Sequence, residues 1–234
     1  CISSKVFWGG DKPTQHGLSR KHVVDACHAA LKRLKVDYLD LYFCHRPDEN
    51  TPIEETVRAM SILISQGKVL YWGTSEWSAQ QIMEAYSIAR QYNLVPPTME
   101  QPEYNMFHRK RVEEEYRRLY SGILTGKYTE GIPDDSRLNL PGYEWLKERM
   151  LGEERKALFE AVPKLGKIAQ DLGGSMAQLA LAWTLKNPNV STAITGASRP
   201  QQVQENMQAL DLLEKLDESV MEQIRSILNV LPEG

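Results

Sequence analysis

The stretch that most constrains the fold is Tyr71-Trp72-Gly73-Thr74-Ser75-Glu76-Trp77-Ser78. An apolar run, Val69 to Gly73, ends in the polar tip Thr74-Ser75-Glu76, and Ser78 stands where a helix needs its N-cap. A strand that ends in polar residues and passes at once into a helix is a βα junction, where parallel-barrel enzymes carry their chemistry. The layout recurs. Tyr38–His45 precedes a helix from Pro52, and Thr98–Gln101 precedes one from Lys110. The near-continuous apolar character of Tyr38–Cys44 fits a parallel strand covered on both faces. The repetition predicts an α/β barrel enzyme rather than a binding module.

Other elements follow from the same signals. Ile2–Phe7 reads as a strand stopped by Gly9-Gly10. Ser19 caps a predicted helix to about Leu34, with Val23, Val24, Cys27, Ala30, Leu31 and Leu34 on one face. Thr51-Pro52-Ile53-Glu54 reads as a capping box with Pro at the first helical position, and Gly67 ends that helix. Ser78–Tyr92 is the next helix, stopped by Asn93. A polar excursion from Tyr128 to Gly152 reads as a long loop with a short helix near Tyr143–Met150. Helices are predicted over about Glu153–Leu172, Ser175–Lys186, Arg199–Ala209 and Asp217–Leu228, with a last strand at Ser191–Thr195.

Composition excludes several function classes. The net charge of -3 gives no reason to expect nucleic acid as a partner, which usually demands a clustered basic surface. The five histidines show no metal-ligand spacing, so no metal site is expected. Three cysteines, Cys1, Cys27 and Cys44, form no CxxC and no even framework, which points to free thiols in a reducing compartment. With no apolar run near the ~20 residues of a membrane span and no secretory leader, a cytoplasmic location is expected. The first residue is Cys and not Met, so the start of translation is expected to lie outside these residues.

The 234 residues suffice for one sizeable domain, and a barrel of this type uses roughly 250. Yet only five strands can be counted, where closure needs eight. An open remnant would leave inner apolar layers and two edges unpaired.

The strings Val6-Phe7-Trp8-Gly9-Gly10, Gly17-Leu18-Ser19-Arg20-Lys21-His22, His45-Arg46-Pro47-Asp48, Glu54–Met60 and Glu100–Phe107 carry a family resemblance. The chain resembles an aldo-keto reductase, most closely the branch holding the β subunits of voltage-gated potassium channels and their plant and microbial relatives. Ser121–Tyr128, Ile132–Arg137 and Gly196–Asn206 extend the match over nearly the whole chain.

The resemblance implies a (β/α)8 TIM barrel that binds NADPH at the C-terminal ends of its strands. It also implies that the barrel is incomplete as given. Two βα units of the family have no counterpart before Cys1, and a strand with a Trp-Ser-Pro-Leu-like tip has none between Tyr120 and Ser121. A single domain over residues 1–234, with a segment omitted there, is the expected organisation. The expected signature of an omission is a Cα separation between Tyr120 and Ser121 well beyond ~3.8 Å. The family's catalytic set is Asp, Tyr, Lys and His (Asn in animal channel subunits), and its Asp and Tyr fall in the part without counterpart.

Residue by residue, Lys5 matches the family's lysine, which favours phenolate over phenol in a neighbouring tyrosine. His45 matches the residue that orients the substrate carbonyl. Ser75, Glu76 and Gln101 sit where the family holds the nicotinamide carboxamide, and Ser and Gln offer the donors and acceptors an amide needs. Glu76 departs from the Asn of ordinary reductases and from the Arg of some channel subunits; Arg46 or Arg109 are its expected partners. Lys127, Arg137, Ser198, Arg199, Gln202, Glu205 and Asn206 match the region that grips the dinucleotide. Cations there suit pyrophosphate and the 2′-phosphate, and carboxylate with amide suits adenine. Trp8, Trp72 and Trp77 read first as packing.

Two functions are therefore implied. One is NADPH-dependent reduction of small aldehydes or ketones. The alternative is a cytosolic, tetrameric β subunit that docks on a potassium channel α subunit and uses NADPH as a redox sensor. Lacking the family's Asp and Tyr, the chain as written is expected to be unable to perform tyrosine-acid catalysis.

Overall fold

A computed structural model describes residues 1–115, 156–188 and 190–228. The chain divides into two compact units, Cys1–Pro102 and Glu103–Gly234.

The first unit is the βα alternation. Strand β1 (Ser3–Val6) leads through a loop with a 3-10 turn at Pro13–Gln15 to α1 (Arg20–Leu34). Then come β2 (Leu39–Cys44), α2 (Ile53–Ser65), β3 (Val69–Thr74), α3 (Ala79–Gln91) and β4 (Met99–Glu100). The four strands are parallel in the order β1-β2-β3-β4. Sequence order equals spatial order because each helix returns the chain for the next parallel strand.

Local chemistry sets the helix ends. The Ser19 hydroxyl accepts from the His22 N–H to open α1. Ser78 and Gln81 form a reciprocal capping box at α3, the side chain of each bonding the backbone N–H of the other. Past the other ends, Lys35, Gly67 and Asn93 take left-handed φ of 57°, 67° and 52°. At α2 the expected capping box is not made. The helix starts after Pro52 with no side-chain cap, and the Thr51 hydroxyl donates instead to Asp48 Oδ2 at 2.7 Å. Asp48 outcompetes the helix end because one carboxylate there also collects the N–H groups of Leu18 and Asn50.

The apolar cluster of this unit lies between sheet and helices. Val6, Tyr42, Cys44 and Trp72 come from the strands, Val23, Cys27, Val57, Met60, Leu63, Ala85 and Ala89 from the helices. Trp72, wholly buried, donates its indole N–H to Val95 O at 2.9 Å and so fixes the approach to β4. Gly73 faces Met99 so closely that a Cβ there would stand 2.5 Å from the Met99 carbonyl oxygen. The β3–β4 pairing therefore excludes any side chain at that position.

The second unit carries a π-helical turn at Arg111–Glu115 where an α-helix from Lys110 is predicted. It continues with α4 (Lys156–Asp171), α5 (Met176–Leu185), α6 (Pro200–Met207), α7 (Ala209–Leu213) and α8 (Glu218–Leu228). The helix predicted over Arg199–Ala209 is thus divided at Gln208. The strand predicted at Ser191–Thr195 does not form: a strand is held only by a ladder to a neighbour, and among the described residues this segment has none. Its Ile194 is 55% exposed. Ser175 and Gln178 make a second capping box at α5. Leu165, Ala169, Leu179, Trp183, Leu212, Leu216 and Ile224 form the core of this unit. The Tyr120–Ser121 junction, the 128–152 excursion and its short helix lie outside the described residues.

Candidate active site

Parallel register aligns the strand ends. Val6 pairs with Cys44, Cys44 with Thr74, and Thr74 with Glu100. The ladder then runs one residue further across the sheet. His45 N–H donates to Val6 O (2.9 Å), Ser75 N–H to Cys44 O (2.9 Å) and Gln101 N–H to Thr74 O (2.8 Å). His45, Ser75 and Gln101 are therefore held side by side at the C-terminal edge of three neighbouring strands.

Pleating decides which way they face. Successive side chains in a strand alternate, and residues paired across a ladder share a face. Val6, Cys44, Thr74 and Glu100 are one such row, and Val6, Cys44 and Thr74 are buried against the helices. Lys5, paired with Phe43, and the residues one step past the tips belong to the opposite face. Four of the sequence-predicted residues, Lys5, His45, Ser75 and Gln101, thus share one face at one end of the sheet.

Electrostatics marks the same corner. Burial first, then the neighbouring cations Lys5 and Arg46, hold the His45 imidazole down at about pKa 4, against a smaller opposing pull from Glu76. At neutral pH the ring is uncharged and offers one N–H donor. Lys5, whose side chain is exposed, has its pKa lowered by local desolvation and then by Arg46. A cation held uncomfortably in this way gains from an anionic partner such as a phenolate. Arg46 itself donates to His45 O at 2.6 Å, while Arg109 lies within 3.9 Å of Glu113.

At β3–β4 the Ser75 hydroxyl donates to Gln101 O at 2.8 Å. Gln101 Oε1 is buried and without a hydrogen-bond partner. An orphaned buried acceptor costs about 1–3 kcal/mol unless a donor reaches it, and a ligand carboxamide N–H₂ is a donor of the right kind. The residues present therefore fit the nicotinamide end of the expected cofactor. Glu76 occupies a left-handed conformation, φ 62°, at the turn between β3 and α3.

In the second unit, Gln202 Oε1 accepts from Ser198 N–H (2.8 Å), Ser198 Oγ (3.1 Å) and Arg199 N–H (3.1 Å). Its carbonyl is thus committed to the turn ahead of α6. Glu205 is exposed and Asn206 half-buried on that helix. Lys127 and Arg137 lie outside the described residues.

Two residues escaped the sequence reading. Gln178, buried, donates to Glu205 O (3.0 Å) and Gln208 Oε1 (2.9 Å) while its own oxygen caps α5. Glu100, in the strand before Gln101, accepts from the Thr74 hydroxyl, and its Oε1 is buried without a partner. A carboxylate within a short parallel strand was a legible anomaly; Gln178 looked like any N3 capping residue.

The Aldo/keto reductase family profile matches residues 1–229. The chain belongs to the aldo/keto reductase family. Over 246 aligned residues it is 50% identical to a probable voltage-gated potassium channel subunit beta of Arabidopsis thaliana, covering 99% of this chain and 74% of that protein. A protein of the same description from Oryza sativa subsp. japonica is 49% identical over the same shares. The aldo/keto reductase fold is a (β/α)8 barrel, and the parallel β1–β4 sheet with its outer helices is a run of that architecture.

In this member of the family, burial raises the Glu100 carboxyl to about 7 from an ordinary 4.5, against the stabilising influence of the Thr74 hydroxyl and the Glu76 and Trp77 backbone. Between those two pH values the folded chain keeps a proton that the unfolded chain has lost. The stability this group contributes is therefore full below about 4.5 and lost as pH rises through about 7. The amount is roughly 3 kcal/mol. Urea denaturation of wild type and Glu100→Gln should show their stability difference moving towards the variant by that amount on going to neutral pH. His45 acts in the opposite sense but cancels in this difference. A constant difference across the range rules the linkage out.

Proposed function

We propose that this chain is the core of an NADPH-dependent aldo/keto reductase that reduces small aldehydes or ketones. The observation that carries the proposal is the row Lys5, His45, Ser75 and Gln101, which shares one face at aligned strand ends. When bound, the reduced nicotinamide supplies the hydride. The chain's own residues do the rest. Ser75 and the open acceptor Gln101 Oε1 orient the carboxamide, His45 donates its N–H to the carbonyl oxygen, and Lys5 lowers the pKa of the phenol that delivers the proton. That phenol, with the family's Asp, matches no residue here. Lys127, Arg137, Ser198, Arg199, Gln202, Glu205 and Asn206 hold the adenosine and phosphate end, with Glu76 at the nicotinamide rim.

Calorimetric titration with NADPH tests the reading. Binding in about the micromolar to submillimolar range is expected, and no heat at about 1 mM NADPH rejects it. A version carrying the family's Asp and Tyr should oxidise NADPH when given a simple aldehyde.

The names of the two plant relatives favour a second reading, a cytoplasmic β subunit of a potassium channel, tetrameric, with NADPH as its redox sensor. Among the described residues no helix is long and apolar enough to cross a membrane. Co-purification with a membrane channel and a tetrameric mass would support it. The single barrel with a segment omitted at Tyr120–Ser121 belongs to both readings. It is supported by the alignments, which extend over 246 residues although the chain has 234, so the relatives carry residues without counterpart here.

A further inference from the structure

We propose that Glu100 is a positioning residue that pins the Thr74–Trp77 turn from behind, so that Ser75 and Gln101 present their polar atoms to the nicotinamide end of the cofactor. This rests on the NADPH reading and specifies how its nicotinamide subsite is held.

Glu100 is paired with Thr74, so its side chain stands in the helix-facing row, opposite to the face that bears Lys5 and His45. It is out of reach as an acid or base for substrate. Instead it sits under the β3–α3 turn, where the Thr74 hydroxyl donates to its Oε2. The backbone amides of Glu76 and Trp77 lie on the same side and favour the charged form of this carboxylate. The turn needs such an anchor. Glu76 holds a left-handed φ of 62°, which strains a non-glycine residue and persists only where neighbours impose it.

Anchoring the turn fixes the subsite on the far face. Ser75, flanked by the pinned residues, donates through its hydroxyl to Gln101 O. Gln101 follows Glu100 directly, and its N–H is tied to Thr74 O. Thr74, Ser75, Glu100 and Gln101 thus form a closed loop of bonds around the β3–β4 tip. Gly73, one residue back, admits no side chain against Met99, which draws the two strands tight. The titrating groups facing Glu100 are Glu76 from the turn, which disfavours its ionisation, and Cys44 from β2, whose own thiol pKa the carboxylate raises further.

Calorimetry with two ligands tests this on the whole chain. NADPH engages the nicotinamide subsite, whereas adenosine 2′,5′-bisphosphate engages only the adenosine end. Glu100→Ala and Glu100→Asp, the latter too short to span the gap, should weaken NADPH by about tenfold or more and leave the bisphosphate unchanged. Glu100→Gln keeps the length and an acceptor oxygen for Thr74 and should recover most of the loss. Equal weakening of both ligands, or undiminished NADPH affinity in Glu100→Ala, overturns the proposal. Hydrogen exchange supplies a readout without ligand: the Glu76, Trp77 and Gln101 amides should exchange faster in Glu100→Ala than in Glu100→Gln. Equal protection in both variants also overturns it. Failure of the wild-type chain to bind NADPH at all is a different result, which removes the cofactor reading itself.

Discussion

Lys5→Met should abolish carbonyl reduction, by at least about 10²-fold, in a version of the protein that carries the family's Asp and Tyr, and should leave NADPH affinity unchanged. Methionine keeps the length and apolar stem of lysine and removes only the charge. The scale follows from what the charge does: proton transfer by a positioned group contributes about 10²–10⁴-fold, and a phenol without a cation beside it stays too weak an acid near neutrality. Lys5 lies at the end of β1, with its pKa lowered by desolvation and by Arg46, a setting that suits the proposed pairing with an anionic phenolate. Stopped-flow oxidation of NADPH with a simple aldehyde separates the outcomes. Undiminished turnover removes Lys5 from the chemistry, and loss of NADPH binding would make it a cofactor contact instead.

The second large effect is on stability. Trp72→Ala should cost about 3–5 kcal/mol, the range for deleting a large buried aromatic. Trp72 is 0% exposed in the core between sheet and helices, and its indole N–H donates to Val95 O. Two contributions can be separated. Trp72→Phe keeps most of the volume but leaves the Val95 carbonyl without its donor, a loss of about 1–3 kcal/mol. Because Val95 leads into β4, Trp72→Ala should also expose Gln101 N–H to faster hydrogen exchange. A loss below about 1 kcal/mol in Trp72→Ala by urea denaturation would contradict the packing described here.

The alternation of strands and helices in the first unit was legible because each signal is local. Ser19 and Ser78 cap the helices they were expected to cap, since a serine hydroxyl needs only the next turn's N–H groups to act. Gly67 and Asn93 end helices through their own left-handed φ. Once strands of known polarity are laid parallel, the period of two puts Lys5, His45, Ser75 and Gln101 on a common face, and the structure keeps them there.

Elsewhere the local signal lost to a distant partner. Thr51 carried a capping pattern, yet Asp48 takes its hydroxyl, because a carboxylate already gathering two backbone N–H groups is the stronger acceptor. Ser191–Thr195 has strand character but no ladder among the described residues, and β propensity alone holds nothing. Gln178 looked like an ordinary capping residue, and the anomaly of a carboxylate at Glu100 did not reveal its partner; their bonds reach Thr74, 26 residues away, and Glu205, 27 residues away.

From the one-dimensional string come the α/β class, the order of the first three helices with the caps of α1 and α3, and the residue types at the strand tips. These depend on contacts within a turn or on the pleat of a single strand. What tertiary structure alone decided is the environment of those tips: His45 held near pKa 4 beside Lys5 and Arg46, Gln101 Oε1 left buried and open, and Glu100 locked behind the turn. Desolvation and hydrogen-bond partners from other strands exist only once the sheet is assembled.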